Sequence, residues 1–152
     1  MYTKTQFQYK IDNLEFSILS CLLIKPELME KIILEDRHFK KTQRIWQFMK
    51  SFYKKFKTFD VNLMYSVCKN KWQLIEYISL LLDFEPTANE FDKYQQQLIE
   101  LYEEQEKDKY IIEKVYKLAN ELIVRSISTN DFKKEIDNVY YNANEIYKKG
   151  DD

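Results

Sequence analysis

The sequence predicts an all-α fold, a compact helical bundle of about six helices followed by an antiparallel helical hairpin. Three observations carry that expectation. A single glycine, Gly150, and two prolines, Pro26 and Pro86, in 152 residues leave few of the turns that a sheet protein needs. Leu, Ile, Lys, Glu, Gln and Tyr dominate instead, and apolar residues recur at steps of three and four. From Tyr94 onward those steps become a heptad pattern.

The first strongly apolar stretch is "LEFSILSCLLI", Leu14 to Ile24, with one charge in eleven positions. It is far shorter than the roughly 20 apolar residues that cross a bilayer. It follows Asp12 and runs into Lys25-Pro26-Glu27, where a secretion signal would carry small residues for cleavage. The stretch therefore reads as a helix buried nearly all round, behind an N-terminal tail over 1–12. Pro26 can end it and open a second helix, in which Leu28, Met29, Ile32 and Ile33 fall at helical spacing.

A third helix is predicted from about Thr42 to Lys57. Ile45, Phe48, Met49, Phe52 and Phe56 share one face, Trp46 and Tyr53 flank it, and Arg44, Lys50, Lys54 and Lys57 fall elsewhere. Aromatics among lysines can stack on bases while the cations neutralise phosphates. Here the two classes occupy separate arcs, which favours core packing and argues against direct nucleic-acid binding. Asp60 is placed to cap a helix through "VNLMYSVCKN", and Trp72 to Leu82 reads as a further short buried helix. "DFEPTANEF" then breaks the pattern.

A long helix is expected from about Ala88 to Arg125. Tyr94, Leu98, Leu101, Gln105, Asp108, Ile112, Val115, Ala119 and Leu122 alternate steps of four and three, and the two polar members fall inside "EEQEKDK", Glu103 to Lys109. That predicts a solvated neck between two packed halves. After "RSISTND", with Ser128, Thr129 and Asn130 as capping candidates, the spacing repeats in Phe132, Ile136, Val139, Ala143 and Ile146. The two segments should pair as a hairpin whose surplus apolar and aromatic surface, with Tyr110, Tyr116, Tyr140 and Tyr147 beside the seams, suits a protein–protein interface or homo-oligomer contact. The domain expectation is a globular bundle over 13–102, the hairpin over 103–149 and a short tail over 150–152.

The net charge of -1 hides a gradient: residues 1 to 60 carry 12 Lys or Arg against 7 Asp or Glu, and residues 89 to 152 carry 10 against 15. The whole chain is not basic enough for a dedicated nucleic-acid binder. Cys21 and Cys68 are isolated, which suits a reducing cytoplasm, and Cys21 reads as a small core residue. A sole histidine, His38, excludes histidine-rich metal sites and most hydrolytic triads, and one glycine excludes a phosphate-cradling loop. No enzyme activity, cofactor or metal is expected. Function should reside in surfaces.

The order of these pieces resembles the N-terminal domain of DnaB-type replicative DNA helicases. "LEFSILSCLLIKPEL" is similar to that family's first helix, an acidic residue, a small residue and then V/I-L-G-x-L-L-L-D-P-E. Glu15, Ser17, Ile18, Leu19, Leu22, Leu23, Pro26 and Glu27 occupy those places. His38-Phe39 with Arg44 to Trp46 resembles D-F-Y followed by H-R-x-I-F, and "TFDVNLM" resembles G-x-P-I-D-x-x-T-L with Asp60 as the acid. "EPTAN", Glu85 to Asn89, is similar to P-T-A-A-N, Tyr94 falls where the long helix carries a tyrosine, and "LANELI", Leu118 to Ile123, is similar to A-N-E-I. Ser20 and Cys21 stand where the family has paired glycines, the loop after Phe39 is about two residues shorter, and the helix between Tyr94 and Ala119 is about one heptad longer.

The resemblance implies a collar-forming, non-enzymatic module whose hairpins pair and which docks DnaG-type primase. The ATP-driven RecA-like motor that normally follows is missing from this sequence. Tyr94, Ile112, Val115, Leu122 and Ile136, with Tyr102, Tyr110 and Tyr140, are the positions it suggests for partner binding or dimer contact. The leading expectation is a DNA-replication adaptor that binds primase, a replicative helicase or a helicase loader. Met1 and the polar "KKGDD" end suggest a complete small protein of plasmid or phage type. The alternatives are the N-terminal fragment of an ordinary replicative helicase and a single-stranded DNA-binding helical protein.

Overall fold

The computed structural model describes residues 3–147, and among them it is helical with no strand. Six α-helices follow in order: α1 Lys4–Ile24, α2 Gln43–Phe56, α3 Val61–Val67, α4 Trp72–Asp83, α5 Phe91–Ile123 and α6 Thr129–Ile146. Short 3-10 turns at Pro26–Lys31, Asp36–His38 and Ala88–Glu90 join them. The chain divides into two compact units, Met1–Ile99 and Glu100–Asp152, and α5 contributes residues to both. Residues 148–152, which include the expected tail and the end of the hairpin reading, lie outside the described residues.

In the first unit, α1 begins at Lys4, ten residues before the apolar stretch, so most of the expected tail is helix. A capping box starts it: Gln6 donates its N–H to the Thr3 hydroxyl at 3.1 Å, and Thr3 donates its N–H to Gln6 Oε1 at 3.0 Å. That T-x-x-Q signature was present in the sequence. The following turns are mostly exposed, and burial becomes continuous only from Leu14 to Leu22, apart from the half-buried Phe16 and Ser17.

Ser20 ties α1 to α4, and Cys21 faces the segment that follows α4. The buried Ser20 hydroxyl donates to the Leu81 carbonyl at 2.9 Å, and Cys21 directs its thiol at the Thr87 carbonyl, 4.0 Å away. Burial pushes the Cys21 thiol up to about 11, so it behaves as a small core residue.

The expected second helix is only a 3-10 turn, because its backbone finds other partners. Gln95, a buried residue of α5, accepts the Ile33 N–H at 2.8 Å and donates to the Lys31 carbonyl at 3.2 Å. Both ends of one side-chain amide are used on main chain that a continuing helix would have paired itself. Leu28 remains buried, whereas Ile33 turns outward.

α2 starts at a second polar clasp. Glu15, fully buried on α1, accepts both the backbone N–H and the hydroxyl of Thr42 through Oε1, at 3.2 and 2.9 Å. Its Oε2 is buried without a hydrogen-bond partner among the described residues. Burial pushes this carboxyl up to about 7 against the pull of the Thr42 hydrogen bonds. A proton relieves the cost of an ionised oxygen that nothing solvates.

The remaining packing follows the periodicity. Ile45, Trp46, Met49 and Phe52 of α2 are buried, with Phe48 and Phe56 half-buried. Phe39 stacks on Trp46 at 4.2 Å between ring centroids, and Trp46 donates its indole N–H to Asp36 at 2.8 Å. Lys50 also reaches Asp36, at 2.7 Å, and with Trp46 and Gln47 holds that carboxylate down at about 2. His38 is buried and accepts the Glu35 N–H through Nδ1, closing the turn before Phe39. Asp60 caps α3 by accepting the Leu63 N–H at 2.9 Å. In α4 only one face is buried, Leu74, Ile78 and Leu81, while Trp72, Leu80 and Leu82 are exposed.

The Glu15 clasp predicts an unusual pH response. A folded-state value near 7, above the ordinary carboxylate range, means that the native state holds the extra proton. Its contribution is therefore complete at low pH and is lost as pH rises toward and through about 7. Glu15→Gln keeps the acceptor for Thr42 and cannot ionise. Calorimetry from pH 5.5 to 8 should show Tm of the variant nearly flat where the parent falls; parallel curves would refute the assignment.

A candidate protein-interaction face on the hairpin

The second unit contains the hairpin. Beyond Tyr102, only Val139 and Ala143 are buried hydrophobics, both on α6. No residue of the neck from Glu103 to Lys109 is buried. The chain turns without glycine: Arg125 adopts φ 62, Ser126 donates its N–H to the Glu121 carbonyl and Arg125 donates to that of Leu122. This is a Schellman closure with arginine at the left-handed position. Ser128 then caps α6 by accepting the Asp131 N–H at 3.1 Å.

Two sides of the hairpin differ in chemistry. One is a polar groove, lined from α5 by Tyr110, Lys114, Lys117, Leu118 and Glu121 and from α6 by Asp131, Glu135, Asn138 and Asn142 among others. Lys114 lies over the Tyr110 ring at 5.6 Å, and Tyr110 meets Tyr147 edge-on at 6.1 Å. On the other side of α5, Ile112, Tyr116, Ala119 and Ile123 fall in one arc of about 60° at 100° per residue. Ile112, Tyr116 and Ile123 are 66%, 69% and 76% exposed. Two right-handed helices running antiparallel bring Ile136 and Tyr140 of α6 to this same side, with Tyr140 exposed and Ile136 half-buried. The result is a continuous apolar face.

The expected interface residues divide accordingly. Ile112 and Tyr140 are exposed on the apolar side, and Ile136 is half-buried beside them in the seam. Val115 and Leu122 are half-buried, and Tyr110 borders the polar groove. Tyr102 is buried. Tyr94 belongs to the first unit, where its hydroxyl accepts the Thr87 N–H at 3.1 Å and braces the turn before α5.

The heptad count placed Ile112, Val115, Ala119 and Leu122 in the seam. The structure half-buries Val115, Ala119 and Leu122, adds Ile111 and Leu118, and leaves Ile112 outward. The row Ile111, Val115, Leu118, Leu122 and the row Ile112, Tyr116, Ala119, Ile123 both have four-three-four spacing, and the neck holds no apolar residue to fix the register. Tyr116 and Ile123 complete the face, and Ile123 carried no signal until that second row was recognised.

Among the described residues no helix is long and apolar enough to cross a membrane. The described residues thus form a small helical domain followed by a hairpin with an exposed apolar arc. The chain belongs to the DnaB-like helicase N-terminal domain family, whose model matches residues 8–100, more than half of the 152. It is thus a module associated with replicative helicases, and the matched domain is non-catalytic by itself. No curated protein and no solved structure matches the chain. The matched stretch runs from α1 into α5 and covers most of the first unit, including the Glu15 and Gln95 clasps.

If the exposed face contributes little to the fold of one copy, urea unfolding of dilute protein should separate it from the seam. Tyr116→Ser or Ile123→Ser should change stability by less than about 0.5 kcal/mol. Ala143→Leu, which overpacks a fully buried position, should cost about 1–3 kcal/mol.

Proposed function

We propose that the chain is a non-enzymatic protein–protein interaction module of DNA replication. It pairs with a second copy through the hairpin and docks a replisome protein: DnaG-type primase, a replicative helicase or a helicase loader. The observation that carries this reading is the apolar face of Ile112, Tyr116, Ile123 and Tyr140. Half of the fourteen large hydrophobics exposed among the described residues lie between Ile112 and Ile146. A hairpin with so little buried apolar surface and so much exposed gains more from a partner than a finished domain would.

A self-complementary contact is the economical way to cover such a face, because a two-fold axis places the same rows opposite each other. Family membership supports the replication setting, and the polar groove on the other side of the hairpin remains available to a different partner.

Light scattering at micromolar concentration should give the mass of a dimer or higher even oligomer. Ile112→Lys with Tyr116→Lys should return it to 18.7 kDa without loss of helical circular dichroism. The partner is tested by calorimetric titration with a purified bacterial primase C-terminal domain, a replicative helicase and a loader. Binding to none of the three would overturn the docking part of the reading.

A further inference from the structure

α2 carries no acidic residue, and over residues 40–72 nine Lys or Arg stand against one acid, Asp60. That acid is engaged as the cap of α3, and Lys50 is engaged with Asp36. Arg44, Lys54, Lys55, Lys69 and Lys71 are exposed and make no ion pair among the described residues. The net charge of -1 for the whole chain conceals this local excess.

The fold brings Arg44 and Lys71 to one groove. Arg44 hydrogen-bonds Gln73, which ties α2 to the start of α4. Arg44 and Lys71 line one groove whose apolar floor is Phe48 and Leu74. At 100° per residue, Arg44, Phe48, Ser51 and Lys55 form one row along α2, with Lys54 about a quarter turn from it. Trp72, adjacent to Lys71, is 63% exposed and makes no ring contact given among the described residues. Burial of Trp46 and Phe52 removes the rings of α2 as stacking groups, so an accessible indole must come from elsewhere, and Trp72 supplies it.

We propose that this surface of the first unit binds single-stranded nucleic acid, its phosphates along Arg44, Lys54, Lys55, Lys69 and Lys71 and a base on Trp72. Arg44 and Lys55 are the two cations of the α2 row, eleven residues or about 16 Å apart, so a strand laid along the row meets a cation at each end. An exposed aromatic beside a cationic groove is the combination that sequence-tolerant single-strand binders use. An acidic protein would satisfy the cations but gives no reason for the indole. The inference is independent of the hairpin reading, since every residue in it lies in the unit Met1–Ile99.

The test is fluorescence anisotropy of labelled oligo-dT with the full chain, titrated at several salt concentrations between 50 and 200 mM. Binding should weaken at least about tenfold across that range, and Arg44→Gln or Lys71→Gln should each lower the log–log salt slope by about 0.7. Trp72→Ala should weaken binding about fivefold or more at every salt concentration, with circular dichroism unchanged. Lys114→Gln on the hairpin should leave it unaltered. No binding at 50 mM salt, binding insensitive to the three patch substitutions, or equal competition by duplex DNA or poly-glutamate would each overturn the proposal.

Discussion

One side-chain amide ties the first unit together. Gln95 satisfies the N–H of Ile33 and the carbonyl of Lys31 at the same time, from a position with almost no exposure. Without it two part-buried main-chain groups beside α5 would lose their protein partner. Apolar contacts between helices are permissive in register, whereas this pair of hydrogen bonds fixes one turn of α5 against one point of the chain. Glu15 does the same for the start of α2, and Ser20 for the crossing of α1 and α4. A protein with a single glycine also has to end its helices on other residues, which is why Lys57 and Arg125 take positive φ.

The second unit is built on a different balance. Its helices have caps and a well-formed turn, yet almost no interior. Val139 and Ala143 are the deep positions, the neck carries none, and the large side chains of one arc of α5 remain in solvent. Local structure there is specified by capping and by the Schellman closure, while tertiary burial is incomplete within one copy. That contrast gives the two units different surfaces: an apolar arc on the hairpin, and on the bundle the exposed cations of residues 40–72.

Much of this was legible in the sequence. The helical class followed from composition, α2 and its buried rings from periodicity, and the Asp60 and Ser128 caps from residue type and position. The family resemblance drawn from "LEFSILSCLLIKPEL", "HF", "RIW" and "EPTAN" falls within the matched residues. What was not legible depends on groups far apart in the chain. No local pattern announces that Gln95 will take the backbone at Lys31 and Ile33 and stop a helix there. The early start of α1 was readable in Thr3 and Gln6, but the apolar stretch ten residues later drew attention away from it. The register of α5 was ambiguous because Ile111 and Ile112 each begin a row with four-three-four spacing, and only packing against α6 selects between them.

In the proposed function the hairpin associates with a second copy, whereas α1 and α4 of the bundle do not. Hydrogen exchange, read by mass spectrometry on the full chain at rising protein concentration, tests that division most directly. Amides of α5 between Ile112 and Ile123 and of α6 around Tyr140 should gain protection as the protein associates, while those of α1 and α4 stay unchanged. Protection that rises in α1 and α4 but not in the hairpin would contradict the account.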